Sequence, residues 1–270
     1  MARKRTGLGN HLNADLFLVA RPTFDLKQFL SFLSLENQSW KRTAKASGGE
    51  NIVESAGRIC YMSFGARQHR RSNAEYIANL IKQGHESVLE HACWSFVLTG
   101  VSRAFSHQFV RHRVGFAFSQ LSQQYHEERD AHFVEPTVVK SNPELSTLWR
   151  RAVEGSRLAY DALLGSLERT EGNTITPSSK RELKRMIRTA ARSVLPNATE
   201  TTIFFTANAR ALRHFLELRG SIEGDEEMRV VSYLLLKALK KEAPSLFSDF
   251  TARTLPDGLP LVVRVSDQRG

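Results

Sequence analysis

The feature that most limits the fold is one very long helical pattern. Asn142-Pro143 opens a segment in which Leu145, Leu148, Trp149, Ala152, Ala159, Leu163 and Leu167 recur at helical intervals to about Glu168. Such a stripe must be covered by a core or by another subunit. At 72–83, Ser72 and Glu75 form a capping box, Tyr76, Ile77, Leu80 and Ile81 supply an apolar face, and Gly84 stands where a C-terminal cap belongs. Spacing predicts further helices at 102–113, broken by Gly115, at 179–194, stopped before Pro196, and at 207–219 and 225–242. Short runs rich in β-branched and aromatic residues interrupt them at 15–20, 92–99 and 201–206, while 26–50 reads as helix followed by loop. The expected class is α+β (α/β-type), a small central sheet flanked by long helices. One domain is expected over 15–255, between a flexible tail at 1–14 and a C-terminal extension at 256–270.

Composition removes several alternatives. With 41% hydrophobic and 24% charged residues among 270, collagen-like, low-complexity and disordered chains are excluded. No run approaches the ~18 apolar residues of a membrane span, and the N-terminus lacks a signal-peptide pattern, so a cytoplasmic location is expected. Cys60 and Cys93 lack C-x-x-C spacing and are expected to be buried, reduced thiols. Lys and Arg number 38 against 28 acidic residues, a net +10 that favours anionic partners.

Basic residues cluster in three places. Arg103, His107 and Arg111 follow at four-residue steps, and Arg111-His112-Arg113 diverge by about 100° per residue if helical, so they reach different anionic groups. The polar run at 119–125, with Ser119, Gln120, Ser122 and Tyr125, has the inventory that hydrogen-bonds a pyrimidine, ribose or phosphate. Arg181, Arg185, Arg188 and Arg192 share one helix face, where phosphates would relieve their repulsion and Glu182 is the alternative counter-charge. Asn208, Leu212, Phe215 and Arg219 share a face of the 207–219 helix, with Arg210 and His214 on another. Arg219 over an apolar floor could stabilise negative charge on a ring carbonyl. Gly84-His85-Glu86-Ser87-Val88-Leu89 is not H-E-x-x-H, because Leu89 stands where the second His belongs, and no metal site is assigned. Gly-rich phosphate loops do not occur, so a dinucleotide would be held by side chains.

Taken together, GHESVLEH (84–91), the Arg111-His112-Arg113 triplet with Ser119, Gln120, Leu121, Ser122 and Tyr125, SVLPNATET (193–201) and NARALRHFLELR (208–219) resemble flavin-dependent thymidylate synthases over roughly 50–250. The resemblance implies a homotetramer with active sites between subunits. It also implies conversion of dUMP to dTMP with FAD, NAD(P)H and methylenetetrahydrofolate, without nucleic acid or membrane partners. Carried over by position, Gln108, Arg111, Gln120, Leu121, Ser122, Arg192 and Arg219 would bind the uridylate. His85, Ser87, Arg111, His112, Arg113, Arg188, Asn208, Arg210 and His214 would bind FAD. Arg219 and Ser122 would be the catalytic pair, Arg219 polarising the uracil and Ser122 positioning it.

Three positions depart from the family pattern. Eight residues, 114–121, separate the triplet from Ser122 instead of seven, so a bulged loop is expected. Gln124 replaces an arginine, which leaves UMP as the alternative substrate. Glu223 replaces a flavin-contacting histidine and must be turned away or paired, because a carboxylate beside a reduced flavin is unfavourable. A non-catalytic RNA-binding relative would need surface aromatics among its basic residues, which the arginine stripe lacks.

Overall fold

The structure, a computed structural model, describes residues 14–69, 72–174 and 179–265. Nearly all of the tail expected at 1–14 lies outside the described residues. The elements in chain order are β1 (Asp15–Ala20), α1 (Leu26–Leu35), α2 (Gly48–Ile59), α3 (Asn73–Lys82), β2 (Cys93–Ser102), α4 (Arg103–Phe109), β3 (Phe116–Gln120) and α5 (Thr137–Lys140). They continue with α6 (Pro143–Thr174), α7 (Lys180–Ala191), β4 (Glu200–Asn208), α8 (Ala209–Gly220), α9 (Glu226–Glu242), β5 (Phe250–Thr254) and β6 (Pro260–Arg264). Helices with a small sheet make the fold α+β, as expected.

The larger sheet has four strands in the order β1-β2-β4-β3. Ser95 and Thr206 share a hydrogen bond of 2.8 Å, and Thr202 Oγ1 donates to Thr99 Oγ1 at 3.2 Å. Partner numbers fall along β4 as they rise along β2, so the pair is antiparallel. A second sheet pairs β5 with β6, Phe250 opposite Arg264 and Thr254 opposite Pro260. Residues 260–264 of the expected extension are therefore a paired strand.

The chain divides into two compact units, where the sequence pattern suggests one domain. The first is built chiefly from 98–111 and 119–203, the second from 16–97, 112–118 and Phe204 onward. In the first unit, Tyr160 and Leu164 of α6 pack on Ile187 and Ala191 of α7, with Leu183 and Leu195 at the margin. Fully burying side chains of this size stabilises by about 1.5–3 kcal/mol each. Leu145, Leu148 and Leu163 of the expected α6 stripe are exposed on this chain; the face that is buried carries Val153, Tyr160 and Leu164.

In the second unit, Trp40 meets Phe24, Phe29 and Phe64 edge-on at 5.3–6.4 Å. Phe96 stacks on Phe205 at 5.3 Å, and Phe116 and Phe118 lie nearly parallel at 5.4 Å. Helix α2 begins where a loop is expected. Its Ser47 cap accepts from the Glu50 N–H while the Glu50 carboxylate accepts from the Ser47 N–H, and its buried residues are mostly polar, with Glu50, Asn51, Glu54, Ser55 and Arg58 beside Val53 and two glycines. Glu54 accepts from Arg58 Nε at 2.8 Å, Trp40 Nε1 at 3.2 Å and Asn73 Nδ2 at 2.8 Å. Cys60 and Cys93 are free but exposed, contrary to expectation, because Cys60 caps the end of α2 and Cys93 begins β2. None of the described helices is long and apolar enough to cross a membrane.

Candidate active site

The candidate residues divide between the two units, and each group has its own geometry. In the first unit α4 starts at a Ser102 cap and ends at Phe109, four residues earlier than expected. The triplet is therefore off the helix: Arg111 N–H closes a turn on the Gln108 carbonyl, and both side chains are exposed. Ser119 and Gln120, expected in a loop, belong to β3, after which the Leu121 N–H donates to the Thr202 carbonyl at 2.9 Å. Gln120 Nε2 donates to Ser106 Oγ at 2.8 Å and Thr201 Oγ1 at 3.3 Å, so its amide orientation is set from below. Arg103 Nη2 donates to the Leu121 carbonyl at 2.7 Å, and Gln124 N–H donates to Ser122 Oγ at 3.3 Å. Ser122 therefore sits between two backbone groups that are already held, with its hydroxyl hydrogen left to donate.

The arginines of α7 act on the segment after Ser122. Arg188 donates to the Tyr125 carbonyl at 3.0 Å and to Glu127 at 2.6 Å. The Arg188 and Arg129 hydrogen bonds hold the Glu127 carboxyl below its usual range. Arg185 Nε donates to Gln124 Oε1 at 3.3 Å, and Arg181 and Arg185 stand about 6 Å from the Tyr125 ring. A guanidinium from α7 thus reaches the position where the family pattern has its own arginine. Arg185 also faces Glu182 at 3.8 Å, but Arg192 has no ion-pair partner among the described residues. Arg103 is held below the usual guanidinium range by burial and by the charge of Arg192, with Glu128 opposing. The sequence places Arg103 in a basic cluster with His107 and Arg111 but assigns it no contact, and it gives Glu128 no place in the site; burial of a charged residue beside the polar run is a tertiary property.

The second unit gathers His112, His214 and Arg219. Arg219 Nε donates to His112 Nε2 at 3.1 Å, and the His112 ring stands edge-on to Phe215 at 5.2 Å and to His214 at 6.5 Å. Burial, then the charges of Arg219 and His214, lower the His112 pKa, so the ring is a neutral acceptor at pH 7. Arg113 is exposed. Asn208 caps α8 by accepting from the Ala211 N–H at 2.9 Å, and its own N–H donates to the Gly115 carbonyl at 3.1 Å. The expected bulge is not a loop: Phe116 N–H closes a turn on the Arg113 carbonyl at 3.3 Å, and β3 follows directly.

Gly115 is required there twice over, by its φ of +72° and by space. A Cβ would lie 2.7 Å from Asn208 Nδ2 and from Ala211 Cβ. Gly115→Ala should lower stability by about 1–3 kcal/mol, read as a drop in thermal midpoint, and should loosen the Asn208 cap. A midpoint within error of the parent would contradict this.

His85, Ser87 and Arg210 line a cleft of about 330 Å³ in the second unit, together with Gly84 and Tyr61. Arg210 is held by Glu90 at 2.6 Å and Glu86 at 3.5 Å. A volume near the lower end of ligand pockets, walled by a guanidinium, an imidazole and a hydroxyl, suits one end of a dinucleotide such as FAD. Glu223, at the position where the family has a histidine, faces Arg253 at 3.7 Å, so its charge is paired.

Residues 43–245 match the sequence model of a family described as thymidylate synthase complementing protein. The chain belongs to that family. Among curated relatives, the flavin-dependent thymidylate synthase of Mycobacteroides abscessus is 42% identical over 233 residues, 86% of this chain and 91% of the relative. The protein of the same name from Mycolicibacterium gilvum is 45% identical over 214 residues, 79% of this chain and 84% of the relative. All the candidate site residues fall inside the matched range. The thymidylate synthase complementing family thus covers every element from α2 to α9.

Proposed function

We propose that this chain methylates dUMP at C5 to give dTMP, taking the one-carbon unit from methylenetetrahydrofolate and reducing equivalents from NAD(P)H through bound FAD. The observation that carries the reading is the 42–45% identity to flavin-dependent thymidylate synthases across most of both chains. The geometry supports it. Bound FAD supplies hydride chemistry that no amino-acid side chain can perform.

The chain's own residues bind, orient and polarise. Arg192, which has no acidic partner among the described residues, and Arg111 offer bidentate donors to the nucleotide phosphate. Gln120, Leu121 and Ser122, with Gln108, orient the uracil and ribose. Arg219 places positive charge where the uracil carbonyl becomes electron-rich as C5 attacks the one-carbon unit. Neutral His112 accepts from Arg219 Nε and so aims that guanidinium. His85, Ser87, Arg210 and Asn208 hold one part of FAD, and His112, Arg113, Arg188 and His214 contact the rest. Arg210 would exchange a carboxylate partner for the cofactor's phosphate. No cysteine is needed as nucleophile, and Ser122 acts by positioning. A homotetramer with shared active sites in the cytoplasm completes the reading; the exposed leucines of α6 are suited to a subunit contact.

Anaerobic turnover with FAD, NADPH, methylenetetrahydrofolate and either dUMP or UMP, followed by product mass, tests reaction and substrate together. The expected product is dTMP, with UMP a poor competitor. A protein that stays colourless after FAD incubation and oxidises no NAD(P)H with either uridylate would overturn the proposal. Arg192→Ala should raise KM for dUMP by about tenfold or more, with a smaller change in kcat, because a charge-assisted phosphate contact contributes to ground state and transition state alike. An unchanged KM would remove Arg192 from the site.

A further inference from the structure

Glu128 lies just beyond the polar segment in the first unit and is 5% exposed. A carboxylate is rarely buried to that degree unless its charge is met. Its backbone N–H donates to Tyr160 Oη at 3.1 Å, and Tyr160 is fully buried in the α6–α7 core, so the Glu128 backbone is tied to that packed core. Its side chain is hydrogen-bonded by the Gln123 side chain, while Oε1 is buried without a hydrogen-bond partner. Burial raises the Glu128 pKa, with Arg103 from α4 and His126 from its own segment opposing that rise and Arg192 acting on Arg103. Arg103 in turn donates to the Leu121 carbonyl. Arg103 and Glu128 therefore grip the residues on either side of Ser122: Arg103 holds Leu121 and Glu128 holds Gln123.

We propose that Glu128 is a positioning residue for the uridylate site, its buried carboxyl anchoring the Gln123 side chain so that Leu121, Ser122 and Gln123 are presented in one geometry. The inference rests on reading 119–125 as the uridylate-binding segment. Glu128 touches no substrate; it acts through Gln123 and through the counter-charge it offers Arg103. Without it, Gln123 loses an acceptor and the segment adopts several arrangements, only some of which bind.

The test is steady-state kinetics of the FAD-loaded enzyme with Glu128→Ala, Glu128→Gln, Gln123→Ala, the Glu128→Ala/Gln123→Ala double variant and Ser122→Ala, with FAD absorbance and thermal midpoint measured on each. Glu128→Ala should raise KM for dUMP about tenfold, the scale of one hydrogen bond to a charged group, with kcat within about twofold and FAD occupancy unchanged. Glu128→Gln keeps an acceptor and should return KM to within about threefold of the parent. If Glu128 works through Gln123, the double variant should be no worse than Gln123→Ala alone. Equal losses of FAD, midpoint and kcat in Glu128→Ala, repeated in Glu128→Gln, would make the residue structural and overturn the inference. So would additive effects in the double variant. If Ser122→Ala leaves KM for dUMP unchanged, the segment is not the uridylate site and the underlying reading is lost. If Ser122→Ala raises KM and Glu128→Ala does not, only the role of Glu128 is lost.

Discussion

Arg219→Ala should lower kcat/KM for dUMP by about a hundredfold or more, the loss expected when a preorganised donor to a developing oxyanion is removed. The last turn of α8 carries this guanidinium, and its Nε is already committed to His112, so no reorganisation is needed when charge builds on the substrate. Arg219→Lys should recover only part of the activity, because an ammonium cannot bond His112 and point a planar fork at a carbonyl at once. The same variants report on His112 without substrate. Burial, then Arg219, then His214 lower its pKa, so removing Arg219 should move its imidazole titration upward, as followed by NMR. In the parent, a depressed imidazole contributes stability above its unfolded value near 6.5 and loses that contribution as pH falls through the folded value. Activity should fall over the same acid range, since a protonated Nε2 cannot accept from Arg219. Parent-like turnover in Arg219→Ala would refute its catalytic role.

Arg213→Ala should destabilise the fold by about 3–5 kcal/mol, measured by urea unfolding, because it breaks a buried ion pair from one side. The Arg213 side chain is 5% exposed and donates to both oxygens of Asp249 at 2.7 Å and to the Leu246 carbonyl at 2.6 Å. Its guanidinium carbon also lies 5.1 Å from the Phe250 ring centroid. Asp249 accepts from Arg264 Nε at 2.9 Å as well, so the pair ties α8 to the β5–β6 hairpin. Burial by itself raises the Asp249 pKa, but the bonds from Arg213 and Arg264 outweigh it and hold the carboxyl below its ordinary value of 3.8. That contribution is present above about pH 4 and lost as pH falls through the folded value. Without Arg213 the acid-side loss should begin at higher pH. A variant within about 1 kcal/mol of the parent would show that Arg264 alone satisfies Asp249.

Elements that bury an apolar face and carry their own caps are legible in the amino-acid order. Helix α3 is the clear case: the expected Ser72–Glu75 capping box forms, and Ile77 and Leu80 are buried. Strand β1 begins and ends as expected, and α9 differs by a single residue. Helix α2 escapes a hydropathy reading although Ser47 and Glu50 spell the same capping box, because its buried residues are mostly polar. Hydropathy cannot signal a helix whose Glu54 and Arg58 are buried by satisfying each other and by Asn73 and Trp40 from distant segments. The C-terminal hairpin escapes it for a related reason: β6 is held by β5, α8 and α9.

The amino-acid order by itself determined the helix and strand inventory around 72–102 and 200–242, the basic inventory of the site and the family, because caps, periodicity and short motifs are local. Tertiary structure alone decided that the triplet leaves its helix at Phe109, that Gly115 turns the chain against Asn208, that Arg219 meets His112 and that Glu128 is buried beside Gln123. Those outcomes depend on which distant groups satisfy a charge or a backbone donor once water is excluded, and no local pattern in the chain encodes that partner.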